Sequence, residues 1–374
     1  MKNRVYLDYN ASTPLQPESR NAIFSVLGQK NGALNASSVH SFGRQGRKSV
    51  EDARLAVAQL VNATPELIIF NCGATESNNT VLRFFETQYP DEVILVSAIE
   101  HPSVLKAAKS IETIPVDAKG CVDLVWLEER LQQAPQVSLV SVMTVNNETG
   151  VIQDVRQIAD ITHRHGALFH SDATQAAGRL SLDIAEMGMD FMSLSSHKIG
   201  GPQGVGALVL GLCGQTPTLL HGGGQEKSAR AGTENVAGIA GFGVAARLAL
   251  DGLKDYKRLA LLRDDMEARL KNISPDIVFH GKDAPRVGNT SLFSLPGVPS
   301  ETMLMAMDLE GIALSNGSAC SSGSVKASSV LKAMGVPDAQ AKSALRVSTG
   351  WATTKDDIER FLETWEKLAQ RWKS

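Results

Sequence analysis

At 374 residues the chain exceeds the roughly 250–300 residues beyond which one core usually splits, so two domains are expected. Composition is that of an ordinary folded protein, 43% hydrophobic and 21% charged, and a formal charge of −3 offers no electrostatic footprint for nucleic acid or an anionic membrane. The opening MKNRVYLDYNASTP lacks the apolar core of a secretory signal, no apolar run is long enough to span a bilayer, and the 4 cysteines show no CxxC or disulfide-like spacing, which together predict a cytoplasmic protein with mostly inert thiols.

In chain order, ELIIF (66–70) reads as a strand followed by a helical stretch over 76–87. EVILVSA (92–98) reads as a second strand, with a helix opened by Pro102, a residue suited to a first turn. VSLVSVMTV (137–145) leads into the helical VRQIADITHRHG, with Gly166 as its stop. ALFHSD (167–172), DFMSLSS (190–196) and VGALVL (205–210) follow as strands. Near-continuous apolar strands joined by helices predict an α/β fold with a mainly parallel sheet covered on both faces, and such sheets bind ligands at the carboxyl ends of their strands. From about 252 a long helical pattern ending in LKNI bridges into strands DIVFHG and NTSLFSL, helix SETMLMAMDLEG, strand SALRVSTG and a final helix, a mix that predicts a smaller α+β domain. The expected division is 13–254 for the large domain, and 1–12 with 255–374 for the small one.

Chemistry-bearing residues cluster where these strands end. After ELIIF come Cys72-Gly73-Ala74-Thr75-Glu76, small residues that lead into a helix and offer N–H groups and a hydroxyl to phosphate, although Thr or Ser at such a place also serves simply as a cap. After ALFHS come Asp172 and Gln175; after DFMSLSS come His197 and Lys198 with a glycine-rich turn. A phosphate cradle, a lysine and a carboxylate are the three things pyridoxal phosphate (PLP) needs, the carboxylate keeping its ring nitrogen protonated. Two other patterns read as structural. His163-x-His165 has no third metal ligand nearby in sequence, and the GxGxxA run at 241–246 has no strand before it, so close helix packing explains its glycines. Cys320, in NGSACSSGS (316–324), has only small neighbours, an odd setting for a residue that otherwise packs as a small hydrophobe.

Ten stretches in order carry a family resemblance: NASSVHSFG (35–43), CGATESNN (72–79), EHPSV (100–104), VNNETG (145–150), HSDATQ (170–175), SSHKIGGPQGVG (195–206), HGGGQE (221–226), RAGTEN (230–235), SNGSACSSGS (315–324) and LRVSTG (345–350). With them the chain resembles the cysteine desulfurases of the class-V aminotransferase-like group, fold-type-I PLP enzymes. The resemblance implies a seven-stranded, mainly parallel sheet in the large domain and a catalytic-cysteine loop at about 316–326 in the small one. It implies a Schiff base between PLP and Lys198, Asp172 at the pyridinium nitrogen, Gln175 at the ring hydroxyl and His101 stacked on the ring. Gly73, Ala74, Thr75, Ser195 and His197 would hold the phosphate with Thr233 of a second subunit, so a homodimer is implied. Asn147 would lie near ring and substrate, Arg346 would clamp the carboxylate of L-cysteine with Asn35 nearby, and Cys320 would take the sulfur as a persulfide.

Related activities on the same fold stay open at this point: a selenocysteine lyase, an epimerase or an aminotransferase, and beyond them a non-catalytic scaffold. The chain departs from the family pattern at Ala36, where a proline is common, and at Ser196, where a glycine is common. Its short tail after the last helix leaves the sulfur acceptor open between an iron–sulfur scaffold and a tRNA-thiolating enzyme.

Overall fold

The computed structural model describes residues 4–29, 34–211, 213–317 and 327–372. A two-residue strand, Val5–Tyr6 (β1), opens the chain. The central sheet has seven strands: Ile68–Asn71 (β2), Val93–Ser97 (β3), Ile111–Ile114 (β4), Val137–Ser141 (β5), Leu168–Asp172 (β6), Phe191–Ser195 (β7) and Gly206–Leu210 (β8), in the spatial order β2-β8-β7-β6-β5-β3-β4. Only β8 opposes its neighbours, pairing antiparallel with β2 and β7, so the sheet is mainly parallel as expected.

Every residue of β5, β7 and β8 is buried, which is what a sheet covered on both faces demands of its inner strands. Alternation is visible along β2: Ile68 and Phe70 join one apolar cluster and Ile69 the other. Helix Ala74–Gln88 (α3 below) packs into the second cluster through Val81, Leu82 and Phe85. The first cluster takes side chains from Pro17–Leu27 (α1), Ser41–Leu60 (α2), Leu124–Leu131 and Val155–Arg164, and from Val236–Asp251.

Numbering the helices in chain order makes Ala74–Gln88 α3, Pro102–Leu105 α4, Leu124–Leu131 α5, Val155–Arg164 α6 and Val236–Asp251 α7. The glycines of α7 serve close packing. A Cβ on Gly243 would lie 2.5 Å from Ala53 Cα of α2, and one on Gly241 would lie 2.8 Å from Ile23 of α1.

A one-turn 3-10 segment, Gly252–Asp255, joins α7 to Tyr256–Ile273 (α8), the expected bridge. Beyond it, Val278–His280 (β9), Thr290–Ser294 (β10) and Ala344–Ser348 (β12, after β11 at Ile312–Ala313) form an antiparallel sheet in the order β12-β10-β9. Phe293, Trp365, Phe361, Met303 and Met307 form its core with helices Ser300–Leu309 (α9) and Lys355–Trp372, which follows the short Ser329–Ala333 (α10) and Asp338–Ala341 (α11) as α12. β1 pairs with β11, and Val5 and Leu7 enter the same core. The start of the chain therefore packs with its C-terminal third.

Among the elements that differ from the sequence expectation, three belong to the sheet and its connections. The helix opened by Pro102 is a single turn, closed when Lys106 N–H returns to the Pro102 carbonyl. The strand read over 137–145 ends at Ser141, although Val142 and Thr144 still donate to His170 and Asp172 carbonyls. Edge strand β4 was not expected, because Glu112 and Thr113 give IETI no continuous apolar run; only Ile114 is buried.

Candidate active site

Lys198 closes the 3-10 turn Ser196–Lys198 that leaves β7, and the chain returns along β8. Its Nζ donates to the carbonyls of Asn10 and Ala11, each at 2.7 Å. Burial, then the cations of Arg346 and Arg179, depress the amine to about 8, against the opposite pull of Asp172 and Asp8. A cavity lined by Thr13, Arg179, Lys198, Tyr256, Thr349 and Trp351 reaches this lysine from the α7–α8 junction.

Asp172 ends β6 and is 6% exposed. Asn78 Nδ2 donates to its Oδ2 at 2.8 Å and Thr174 N–H to its Oδ1 at 3.0 Å, so the carboxylate is fixed in direction. Asn78 also donates to Ser103 Oγ at 2.9 Å, and Ser103 Oγ lies 2.8 Å from His101 Nδ1. Because the Ser103 N–H donates to that same Nδ1 at 3.1 Å, the neutral ring carries its proton on Nε2. Burial lowers the His101 pKa; Asp172 opposes the effect and Lys198 adds to it.

At the other end, Gly73 caps α3 with φ at +146° and no side-chain cap, leaving the helix start open to an anion. Glycine is required twice over at this turn: a Cβ on Gly206 of β8 would sit 2.5 Å from Gly73 Cα. Ala74 is buried and Thr75 exposed on the first turn. Ser195 is buried, its Oγ 3.9 Å from where a Gly73 Cβ would stand. His197 Nδ1 lies 3.2 Å from Ser12 Oγ, and burial followed by the neighbouring Lys198 charge pushes the ring down to about 4, leaving a neutral imidazole. Thr233 is exposed, beyond the Arg230–Glu76 pair that ties its segment to α3.

Arg346 lies in the middle of β12 and is 1% exposed. Nη1 donates to the Asn147 carbonyl at 2.9 Å and Nη2 to Asp8 Oδ1 at 2.6 Å, while Nε is buried without a partner. Gln175 donates to the Asn10 carbonyl at 2.9 Å and accepts from Arg179 Nη1. Asn10 is thus the hub: its carbonyl takes Lys198 and Gln175, and its Nδ2 donates to the Asn147 carbonyl at 3.1 Å.

The expected residues Lys198, Asp172, His101, Gln175, Asn147 and Arg346 are therefore linked by contact or charge. Asn35 is not brought into that group among the described contacts; it is exposed and its Oδ1 accepts the Ser37 N–H in its own turn. Cys320 and most of the expected 316–326 loop lie outside the described residues. Sequence reasoning missed Asp8, Asn10, Asn78 and Arg179 as site residues. Asn78 stood inside the recognised CGATESNN stretch, whereas Asp8, Asn10 and Arg179 lie outside all ten stretches. Ser196 Oγ is buried without a partner, and a Cβ on Gly201 would come within 2.1 Å of it.

The other thiols are poor nucleophiles. Burial and Glu76 push Cys72 up to about 11, and burial raises Cys121 and Cys213. His163 and His165 face different acids, Asp190 at 2.8 Å and Glu128 at 3.8 Å.

The class-V aminotransferase family profile matches residues 5–361. The cysteine desulfurase IscS of Dictyoglomus turgidum is 38% identical over 99% of this chain and 96% of its own. The chain belongs to the cysteine desulfurases of the class-V aminotransferase family. An IscS-like cysteine desulfurase of Mycobacterium tuberculosis is 37% identical over 96% of this chain and 94% of its own. The crystal structure of a NifS-like protein from Rickettsia africae superposes with a TM-score of 0.89 at 38% identity, covering 98% of this chain and 100% of that one. The fold is thus that of fold-type-I PLP enzymes.

Cysteine desulfurases are PLP-dependent, and the residues present fit that group. A buried amine with a lowered pKa, a carboxylate fixed by Asn78 and Thr174, and an uncapped helix start built of small residues stand around one region. Asn78 Oδ1 and Arg346 Nε, buried and unpartnered, mark polar atoms that a bound molecule can satisfy.

Proposed function

We propose that this cysteine desulfurase converts L-cysteine to L-alanine and takes the sulfur onto Cys320. The observation that carries the reading is Lys198: a buried amine depressed to about 8, facing Asp172 and flanked by the Arg346 guanidinium. PLP attached through Lys198 supplies an electron sink that loosens the bonds at the substrate Cα. Asp172 holds the proton of its ring nitrogen, and Gln175 is placed by Asn10 and Arg179 to meet the ring hydroxyl. Gly73, Ala74, Thr75, Ser195 and His197 would take the phosphate, the neutral His197 ring offering it one N–H donor. Arg346 receives the substrate carboxylate, its planar fork suited to two parallel hydrogen bonds.

Lys198 Nζ, near its pKa at physiological pH, moves the proton at Cα, and His101 Nε2 offers a second transferable proton. The Cys320 thiolate then attacks the substrate sulfur: the Cβ–S bond breaks, an S–S bond forms, and the carbon takes up a proton to give alanine. Thiolate attack of this kind is fastest for a thiol titrating near ambient pH, a property the other three cysteines lack.

Thr233 reaches the phosphate of a second copy, so the working unit is a homodimer, with residues 13–254 as its large domain and 1–12 with 255–374 as the small one. Pairing of β1 with β11 and the exposure of Thr233 support this arrangement. The persulfide passes to a cytoplasmic acceptor protein, an iron–sulfur scaffold or a tRNA-thiolating enzyme. The test is Cys320→Ser: it takes up PLP and changes its absorbance with L-cysteine, yet yields no alanine or sulfide. Normal turnover by that variant removes Cys320 from the mechanism.

A further inference from the structure

Glu148 is a buried carboxyl that none of the steps above uses. It is 5% exposed, and burial raises its pKa, while a Ser328 hydrogen bond and the Arg346 charge pull the other way. A fold that needed only packing here would place an apolar group, because a buried carboxyl costs free energy unless its oxygens are satisfied. What satisfies Glu148 is informative. Ser328 Oγ accepts the Leu331 N–H at 3.0 Å as the cap of α10, so its own proton is free to go to Glu148 Oε2. On the other side Gly317, at φ +83°, packs so closely that a Cβ there would come within 2.9 Å of Glu148 Oε2. Gly317 is in turn fixed through Ser315, whose backbone exchanges hydrogen bonds with Arg346 at 2.7 and 3.3 Å.

Gly317 precedes the 318–326 segment that carries Cys320, and Ser328 follows it. One carboxyl therefore accepts a hydrogen bond from the chain on one side of that segment and leaves no room for a side chain at Gly317 on the other. The same carboxyl sits in a turn held by Asn146 Oδ1, which accepts the N–H groups of Glu148 and Thr149 at 3.0 and 2.9 Å. The residue before it, Asn147, is the one whose carbonyl holds Arg346.

We propose that Glu148 is a positioning residue for sulfur transfer: it pins the two ends of the Cys320 segment to the turn that also holds the substrate-carboxylate arginine. The proposal rests on the reading of Cys320 as the sulfur carrier. Fixing both ends of a segment raises the effective concentration of a thiol within it at a site anchored to the same turn.

The experiment compares PLP-loaded wild type with Glu148→Ala, Glu148→Gln and Ser328→Ala. Three quantities are read: PLP content with the absorbance change on adding L-cysteine, the single-turnover rate of sulfur arrival at Cys320 by quenched mass analysis, and the alkylation rate of Cys320 relative to Cys72 in the apoproteins. The expected result is retained PLP and L-cysteine binding in all variants, with transfer slowed roughly ten- to a hundredfold in Glu148→Ala. Ser328→Ala slows transfer less, Glu148→Gln recovers most of the rate because it keeps an acceptor for Ser328, and Cys320 alkylation accelerates in Glu148→Ala alone. Unchanged transfer in both alanine variants overturns the proposal, as does loss of PLP in step with loss of transfer. Should Glu148→Ala fail to fold, Ser328→Ala decides by PLP content and transfer rate: slowed transfer with PLP retained supports the proposal, and unchanged transfer overturns it. A wild type that places no sulfur on Cys320 overturns the functional reading instead, and the apoprotein alkylation then decides for or against the pinning.

Discussion

The Arg346 guanidinium donates to Asp8 Oδ1 at 2.6 Å, joining the middle of β12 to the residue just after β1. With the arginine 1% exposed at its side chain and the aspartate 19%, this is a largely buried pair in which Asp8 supplies the counter-charge that a substrate carboxylate would otherwise provide. Asp8→Asn keeps an acceptor but removes the charge, so KM for L-cysteine falls. Arg346→Lys loses the planar fork and raises KM by about tenfold or more. Steady-state kinetics on both variants checks the opposed directions; equal shifts would separate Arg346 from the carboxylate.

Lys198 titrates at about 8, with burial and two buried arginines as the cause. Only the neutral amine condenses with an aldehyde, so PLP uptake by the apoprotein accelerates as pH rises through about 8, rather than through the value of about 10.4 usual for lysine. Arg179→Met removes one of the cations and moves that midpoint upward. Stopped-flow absorbance over a pH series reads both.

Glu100 lies beside His101 with its carboxyl pushed up to about 8 by burial. Hydrogen bonds from Ser97 Oγ and Met143 N–H, both at 2.6 Å, and the Asp172 charge modify the effect, and Oε2 has no partner. The folded state binds this proton more tightly than the unfolded chain, so Glu100 withdraws stability as pH climbs from the ordinary carboxylate range to about 8. Glu100→Gln cannot ionise. Its Tm advantage over wild type is therefore near zero at about pH 4 and grows toward about pH 8. A constant difference across that range would contradict the buried-acid account.

Arg54 holds Glu226 through two hydrogen bonds of 2.7 and 2.9 Å, and the Phe70 N–H adds a third at 2.8 Å. The two side chains are 5% and 2% exposed. Glu226→Ala leaves the buried guanidinium with the Ile68 carbonyl and the half-exposed Glu51 carboxylate as its remaining partners, and costs about 3 kcal/mol in denaturant unfolding. The Lys48–Asp52 pair, 75% and 61% exposed, is the control: Lys48→Ala costs about 1 kcal/mol or less.

The parts of this fold written in local pattern were legible. Apolar runs such as ALFHS and FMSLS declared buried strands, and the polar residues just beyond them, Asp172 and Lys198, declared where a ligand goes. Helices α1 and α2 and edge strand β4 were not read, because partly exposed amphipathic or mixed segments give weaker signals than an inner strand. The contacts that complete the site were beyond local reading for a different reason. Asp8 meets Arg346 across 338 positions and Asn10 meets Lys198 across 188, pairings that exist only once the start of the chain has packed against β12 and against the turn after β7. Arg54 and Glu226 likewise look like ordinary surface charges until burial removes both from water.

The most direct test of the central claim is a single turnover with L-cysteine and no reductant, followed by mass analysis of the peptide containing Cys320. The account predicts one added sulfur on Cys320 and an equimolar yield of alanine. Alanine with free sulfide and an unmodified Cys320 would contradict it.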